Sequence, residues 1–388
     1  MRYVFELRPA HGARPRLAHR ARRPFGILWA VLGITAFLAG CAGERPSAAP
    51  PTTPPQAREL IERSLPRSVS DRTGWTTDIY AGFTVLATTP SRENICAVAA
   101  VIEQESGFRV DPVIPGLPAI AWREIDDRAA HAGVPRMIVH GLLQLNSSTE
   151  RSYGDRINDA KTEKELSDIF EDFIGAVPMG RTLFADRNPI RTRGPMQVHV
   201  VFAEQFAAMK PYPYPVKTSI ADEVFTRRGG VYFGIAHLLA YPAPYDRYLY
   251  RFADFNAGQY ASRNAAFQLA VSAASGIPIV ADGALLPHDG TSKGAGATEL
   301  AVRALAGRLD MGEHAIHGAL EKAKTQDFES TDLYQRVFTL AEQTEKHPLP
   351  RAVVPHIELH GPKITRKLTT SWYANRVNAR FERCLNRQ

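Results

Sequence analysis

The chain has 388 residues and carries 47 Lys and Arg against 40 Asp and Glu, a formal charge of +7. Nearly all of that excess lies in residues 1–24, where Arg2, Arg8, Arg14, Arg16, Arg20, Arg22 and Arg23 face only Glu6. The rest is close to neutral, so the high isoelectric point is no sign of nucleic-acid binding. Behind the arginines runs an apolar stretch, Phe25–Leu38, about 14 residues long. It is too short for a comfortable membrane span and has the form of a signal-peptide core.

The stretch closes with Leu38-Ala39-Gly40-Cys41, which resembles the lipobox of bacterial lipoproteins. The resemblance implies that residues 1–40 are removed and that Cys41 is lipidated, anchoring the chain to a membrane. Ala42 follows where an Asp would hold a lipoprotein at the inner membrane, which implies the outer membrane facing the periplasm. An uncleaved signal anchor is the alternative. With Cys41 lipidated, Cys96 and Cys384 remain as a pair in an oxidising compartment, against the alternative of two buried free thiols. Residues 41–56 comprise the lipidated Cys and a Pro-rich tether that cannot bury a core. At about 3.1 Å per residue it reaches up to roughly 45 Å.

From about residue 57 the pattern is mostly helical. Ala57–Leu65 and Ser91–Ser106 are expected helices, followed by Arg123–Ala132, Pro135–Leu145 and Thr162–Ile174. Pro195–Met209, Ile220–Leu239, Tyr245–Phe255 and Gly258–Ser275 continue the series. Ile277–Gly296 reads as loop. Helical spacing returns at Glu299–Leu309, Gly312–Lys324 and Thr331–Glu345. Ala352–Leu368 alternates weakly and suits a hairpin or extended segment, and Trp372–Leu385 is a further helix.

Within Ser91–Ser106, Ile95, Val98, Val101 and Ile102 form an apolar face, and Glu105 falls on that face in the last turn. Glu103 points elsewhere. A carboxyl group so placed, near the negative end of the helix dipole, is expected to keep its proton toward neutral pH and to serve as a general acid. The plain alternative is a Glu ending a surface helix.

Three later stretches bear on this choice: Arg193-Gly194-Pro195-Met196-Gln197-Val198, Gly230–Leu239, and Asp254-Phe255-Asn256-Ala257-Gly258. With Glu105-Ser106-Gly107-Phe108 they stand in the order found in lytic transglycosylases of the goose-lysozyme-like fold, which the sequence resembles over residues 91–108 and 191–275. Thr370-Ser371-Trp372-Tyr373 resembles that family's closing motif, with Thr369 where its Glu stands. Pro195 and Phe255 depart from the family's Leu and Tyr, and residues 110–190 are an insertion.

The resemblance implies a mostly α, lysozyme-like catalytic domain over 57–388, with that insertion and extra helices at about 276–350. It implies cleavage of peptidoglycan glycan strands between N-acetylmuramic acid and N-acetylglucosamine, leaving a 1,6-anhydro end. Glu105 is then the single acid and base, and Ser106, Met196, Gln197, Asn256 and Tyr373 are substrate-side residues. Gln144, in His140–Leu145, is the rival for the place of Gln197. A hydrolytic muramidase needs a second carboxylate to position water, such as Asp254 or Asp111, and an inactive glycan-binding lipoprotein needs neither. No cofactor or metal is expected, and His314 and His317 alone are a weak metal signal. If Tyr373 faces Glu105 and their helices run antiparallel, Cys96 and Cys384 lie at similar depth, about 13 and 16 Å along their helices from the site.

Overall fold

The computed structural model describes residues 53–184, 187–287, 295–359 and 366–387. The signal segment, Cys41 and nearly all of the tether lie outside the described residues. The described chain is mostly α-helical, and its strands form two short hairpins.

Helix α1 (Pro54–Ser64) begins within the last residues assigned to the tether. Pro54 takes the first helical position, where a missing N–H costs nothing, and the Thr53 N–H donates to Gln56 Oε1 at 3.0 Å. Helix α2 (Arg72–Val85) has no counterpart in the sequence reading. Its Gly and Thr residues are weak helix formers, and only Trp75, Ile79 and Phe83, four residues apart, supply a deeply buried apolar row. Asp71 fixes its start by accepting the Gly74 N–H at 3.0 Å. Helix α3 (Arg92–Glu105) is capped by Ser91 Oγ, which accepts the Asn94 N–H at 3.2 Å. Every residue of α3 from Ile95 to Ile102 is buried, which makes this helix the axis of the main core.

The next region holds α4 (Leu117–His131), α5 (Arg136–Leu143), α6 (Tyr153–Asp159), α7 (Glu163–Ala176) and α8 (Gly180–Phe184). It has an apolar cluster of its own around Leu143, Tyr153, Ile157, Ala160 and Ile169.

Strands β1 (Thr192–Arg193) and β2 (Val198–His199) then pair antiparallel, Thr192 opposite His199 and Arg193 opposite Val198. This corrects the expected helix over Pro195–Met209, which begins only at α9 (Val200–Met209). Gly194 and Gln197 have φ of +73° and +51°, left-handed values that a right-handed helix excludes. The helix expected over Ile220–Leu239 is two, α10 (Ile220–Phe225) and α11 (Arg227–Leu239). Thr226 between them is extended, and its Oγ1 accepts the Gly229 N–H at 3.0 Å to start the second.

Helices α12 (Tyr248–Ala257), α13 (Ala261–Ser275), α14 (Ala297–Ala304), α15 (Ala306–Leu309), α16 (Glu313–Leu320) and α17 (Asp332–Glu345) follow. The weakly alternating segment supplies β3 (Glu358–Leu359), paired with β4 (Leu368–Thr369). Helix α18 (Thr370–Leu385) returns to the main core, packing along α3 and α12. That core also takes in residues of α1, α2, α9 and α11, whereas α13 to α17 enclose a second cluster centred on Phe267, Phe328 and Phe338. Each large apolar side chain fully buried in these clusters contributes about 1.5–3 kcal/mol.

Candidate active site

Glu105 is the last residue of α3 and is half-buried. The chain leaves it by a sharp turn: Gly107 and Phe108 both sit in the left-handed region, at φ +59° and +61°. The turn is held by Phe108, which is buried edge-on against Trp75 with ring centroids 5.3 Å apart. Ser106 Oγ donates to the Ile102 carbonyl at 3.1 Å, so this buried hydroxyl serves its own helix turn. Glu103 faces α18 instead, with Arg380, Arg383 and Arg387 at 3.7, 3.5 and 3.4 Å.

Tyr373, in the first turn of α18, is buried beside Glu105. Burial first, then the Glu105 charge and a hydrogen-bonding contact with Glu105, push its phenol well above the ordinary tyrosine range. The contact falls outside standard hydrogen-bond geometry, and among the described residues the hydroxyl has no other partner. Tyr373 therefore stays protonated beside the carboxyl group.

Three residues earlier, Thr370 Oγ1 donates to Asn256 Oδ1 at 2.9 Å. Thr370 is fully buried, while Asn256 is exposed at the end of α12. The end of α3, the end of α12 and the start of α18 are thereby linked through side chains from three separate sequence motifs.

Asp254 is not available to position water. It is 1 % exposed and accepts from Tyr241 and Tyr245 hydroxyls at 3.0 and 2.7 Å and from the N–H groups of Tyr260 and Ser262 at 3.0 and 2.6 Å. Burial raises its pKa against the pull of these donors. Its place is the turn between α12 and α13. Asp111 is exposed.

The hairpin carrying Met196 and Gln197 lies against α10 and α11, and one glycine on each side, Gly194 in the hairpin and Gly234 in α11, explains how it fits. A Cβ on Gly194 would stand 1.9 Å from the Val224 carbonyl oxygen, and one on Gly234 would stand 2.2 Å from Met196 Sδ. Met196 is completely buried there, so it supports the hairpin from beneath instead of meeting solvent. Gln197 is half-buried. Its Nε2 donates to Glu163 Oε2 at 3.2 Å and to the Gly194 carbonyl at 3.4 Å, and its Oε1 accepts from Thr192 Oγ1 at 2.9 Å. Gln144 is exposed at the end of α5. Cys96 of α3 and Cys384 of α18 are joined by a disulfide, with Cα atoms 5.5 Å apart.

Residues 68–387 match a family described as "Protein of unknown function (DUF1615)". The chain belongs to this family. It is 48% identical over 351 residues to the "Uncharacterized protein YaiW" of Escherichia coli (strain K12), covering 90% of this chain and 95% of that relative. No solved structure matches.

Two residues of this DUF1615 chain that the sequence reading passed over stand close to its motifs. Glu163 follows Thr162 at the start of α7, where a first-turn acid is ordinarily solvated, yet it is only 8 % exposed. His237, within Gly230–Leu239, is enclosed by Phe202 and Phe255 with ring centroids at 4.5 and 5.0 Å, and its Nε2 meets the Phe255 carbonyl at 3.3 Å. Burial lowers its pKa to about 4. Only its position on a mostly apolar helix hinted at this.

A cavity of about 230 Å³ opens at the other end of α3, between Asn94, Tyr245, Arg247 and Tyr248, and one of about 320 Å³ lies by Arg308 and Arg336; neither is lined by Glu105. Among the described residues, no group of three or more His, Cys, Asp or Glu is arranged to hold a metal ion. His317 Nδ1 instead meets the buried Glu299 at 2.9 Å. No described helix is long and apolar enough to cross a membrane.

Proposed function

We propose that this chain is a lysozyme-like lytic transglycosylase of peptidoglycan, held in the cell envelope, at the outer membrane, by a lipid on Cys41. The observation that carries the reading is the pairing of Glu105 with Tyr373 beside the Asn256–Thr370 bond. It joins three stretches that resemble that family's motifs and are far apart in sequence.

In this reading Glu105 donates a proton to the glycosidic oxygen as the bond to C1 of N-acetylmuramic acid breaks. The sugar's own N-acetyl group stabilises C1. The Glu105 carboxylate then takes the proton of the C6 hydroxyl as that oxygen attacks C1, closing the 1,6-anhydro ring and returning the acid. Tyr373, which keeps its own proton, stands beside the carboxyl group as a donor that can close on the carboxylate between the two transfers. Asn256 offers an uncharged amide to the sugar. No second carboxylate is required, and the engagement of Asp254 by four donors supports this route over a hydrolytic one.

Mass spectrometry of products from purified sacculi treated with the mature chain tests the proposal. Anhydro ends, absent with Glu105→Gln, are expected. Reducing ends mean a muramidase, and intact glycan means a binding protein.

A further inference from the structure

We infer that Glu163, brought in by the region between α3 and the β1–β2 hairpin, is a positioning residue that fixes Gln197 as a hydrogen-bond acceptor toward an N-acetylated glycan. The inference rests on the transglycosylase reading and extends it to a region that the resemblance leaves unassigned.

The carboxamide of Gln197 has two N–H donors and two acceptor lone pairs. Both donors are directed inward, to Glu163 Oε2 and the Gly194 carbonyl. A backbone carbonyl and a carboxylate oxygen only accept, so this orientation of the amide follows from its partners. One lone pair of Oε1 takes the Thr192 hydroxyl. The second is the capacity left for a ligand, and it suits an acetamido N–H or a hydroxyl of the sugar. Within the hairpin the hold on this orientation is weak, because the Gly194 carbonyl is distant, at 3.4 Å, and the Thr192 hydroxyl can donate or accept. A buried acceptor opposite Nε2 removes that freedom.

Glu163 is itself held firmly. Thr162 caps α7: its N–H donates to Glu165 Oε2 at 3.0 Å, and its Oγ1 accepts the Glu165 N–H at 3.3 Å. The Ile114 N–H donates to the Lys161 carbonyl at 2.9 Å, tying the start of α7 to the chain that leaves α3. Glu163 is buried at a position that is usually solvated.

The test measures binding of a tetrasaccharide of alternating N-acetylglucosamine and N-acetylmuramic acid by titration calorimetry, using the mature chain with Glu105→Gln so that the ligand stays intact. Glu163→Met removes the acceptor and should weaken binding about tenfold, the weight of one hydrogen bond. Glu163→Gln keeps an acceptor oxygen and should stay within about threefold. With Gln197→Met already present, Glu163→Met should add no further loss. Unchanged affinity in Glu163→Met, or the same loss without Gln197, overturns the inference and leaves the transglycosylase reading intact. If the Glu105→Gln parent does not bind the tetrasaccharide, both fall together. Should circular dichroism show Glu163→Met unfolded, Glu163→Lys, which sets a donor opposite Nε2, takes its place: a loss of about tenfold or more that Gln197→Met abolishes upholds the inference, and unchanged affinity overturns it.

Discussion

Cys96 and Cys384, 288 positions apart in sequence, are bonded to each other and fasten the first half of α3 to the end of α18. At the opposite end of the same helix pair, Tyr373 faces Glu105. The two pairings fix the helices as antiparallel, with the carboxyl group at one end and the covalent tie at the other.

The disulfide should therefore act on stability more than on chemistry. In the chain-entropy picture, closing a loop of this length contributes on the order of 5 kcal/mol as an upper figure. Cys96→Ser is expected to lower the melting temperature sharply while leaving glycan turnover at low temperature largely unchanged. Thiol counting on the denatured, unreduced mature protein should find neither Cys96 nor Cys384 free.

Glu105 and Glu103 should separate cleanly on substitution. Glu105→Gln should lower cleavage of sacculi by about 10²–10⁴-fold with the fold intact. Glu103→Gln loosens an ion cluster with three arginines and should cost about 1–2 kcal/mol in urea unfolding while cleavage persists. Retained activity in Glu105→Gln removes it as the acid.

Tyr373→Phe isolates one hydroxyl. The ring stays buried in the main core, and among the described residues the hydroxyl has no partner besides Glu105. Stability is expected to change by less than about 1 kcal/mol, while turnover on sacculi drops about tenfold. A large loss of stability with normal turnover would assign the hydroxyl to the fold alone.

His237 should make the fold acid-sensitive. Its pKa falls from an ordinary 6.5 to about 4 on folding, chiefly through burial. Between these values the unfolded chain binds the proton more readily than the native one. The stabilisation tied to neutral His237 is thus complete above about pH 6.5 and is lost as pH falls toward 4, at most on the order of 3 kcal/mol. Urea unfolding at several pH values should show this slope, and His237→Gln, which keeps a donor for the Phe255 carbonyl, should flatten it.

Cys41→Ser tests the anchor. If the lipobox resemblance holds, the variant should carry no lipid and should accumulate as an unprocessed precursor, visible by mass and by metabolic labelling with palmitate. Maturation at residue 41 in this variant would remove the lipoprotein assignment.

Most helices and the position of Glu105 at a helix end are legible in the amino-acid pattern. Local information suffices there: a 3.6-residue apolar period, Ser91 as a cap, and a left-handed Gly107 after the last turn. Where local signals are weak or shared between two structures, packing between distant elements settles the outcome. Helix α2 is assembled from Gly and Thr around three large side chains, so packing makes it. Pro195–His199 has residues that fit a helix, but close approach of Gly194 to Val224 and of Met196 to Gly234 selects a hairpin. The same limit applies to charge. Asp254 and Glu163 are both ordinary acids in sequence; the fold seals Asp254 into the turn between α12 and α13 with donors 6 to 13 residues away on either side, and sets Glu163 against Gln197, 34 residues on. Hydrogen-bond partners in separate elements leave no periodic trace in the chain, because nothing in the spacing of either element depends on the other until the backbone has folded.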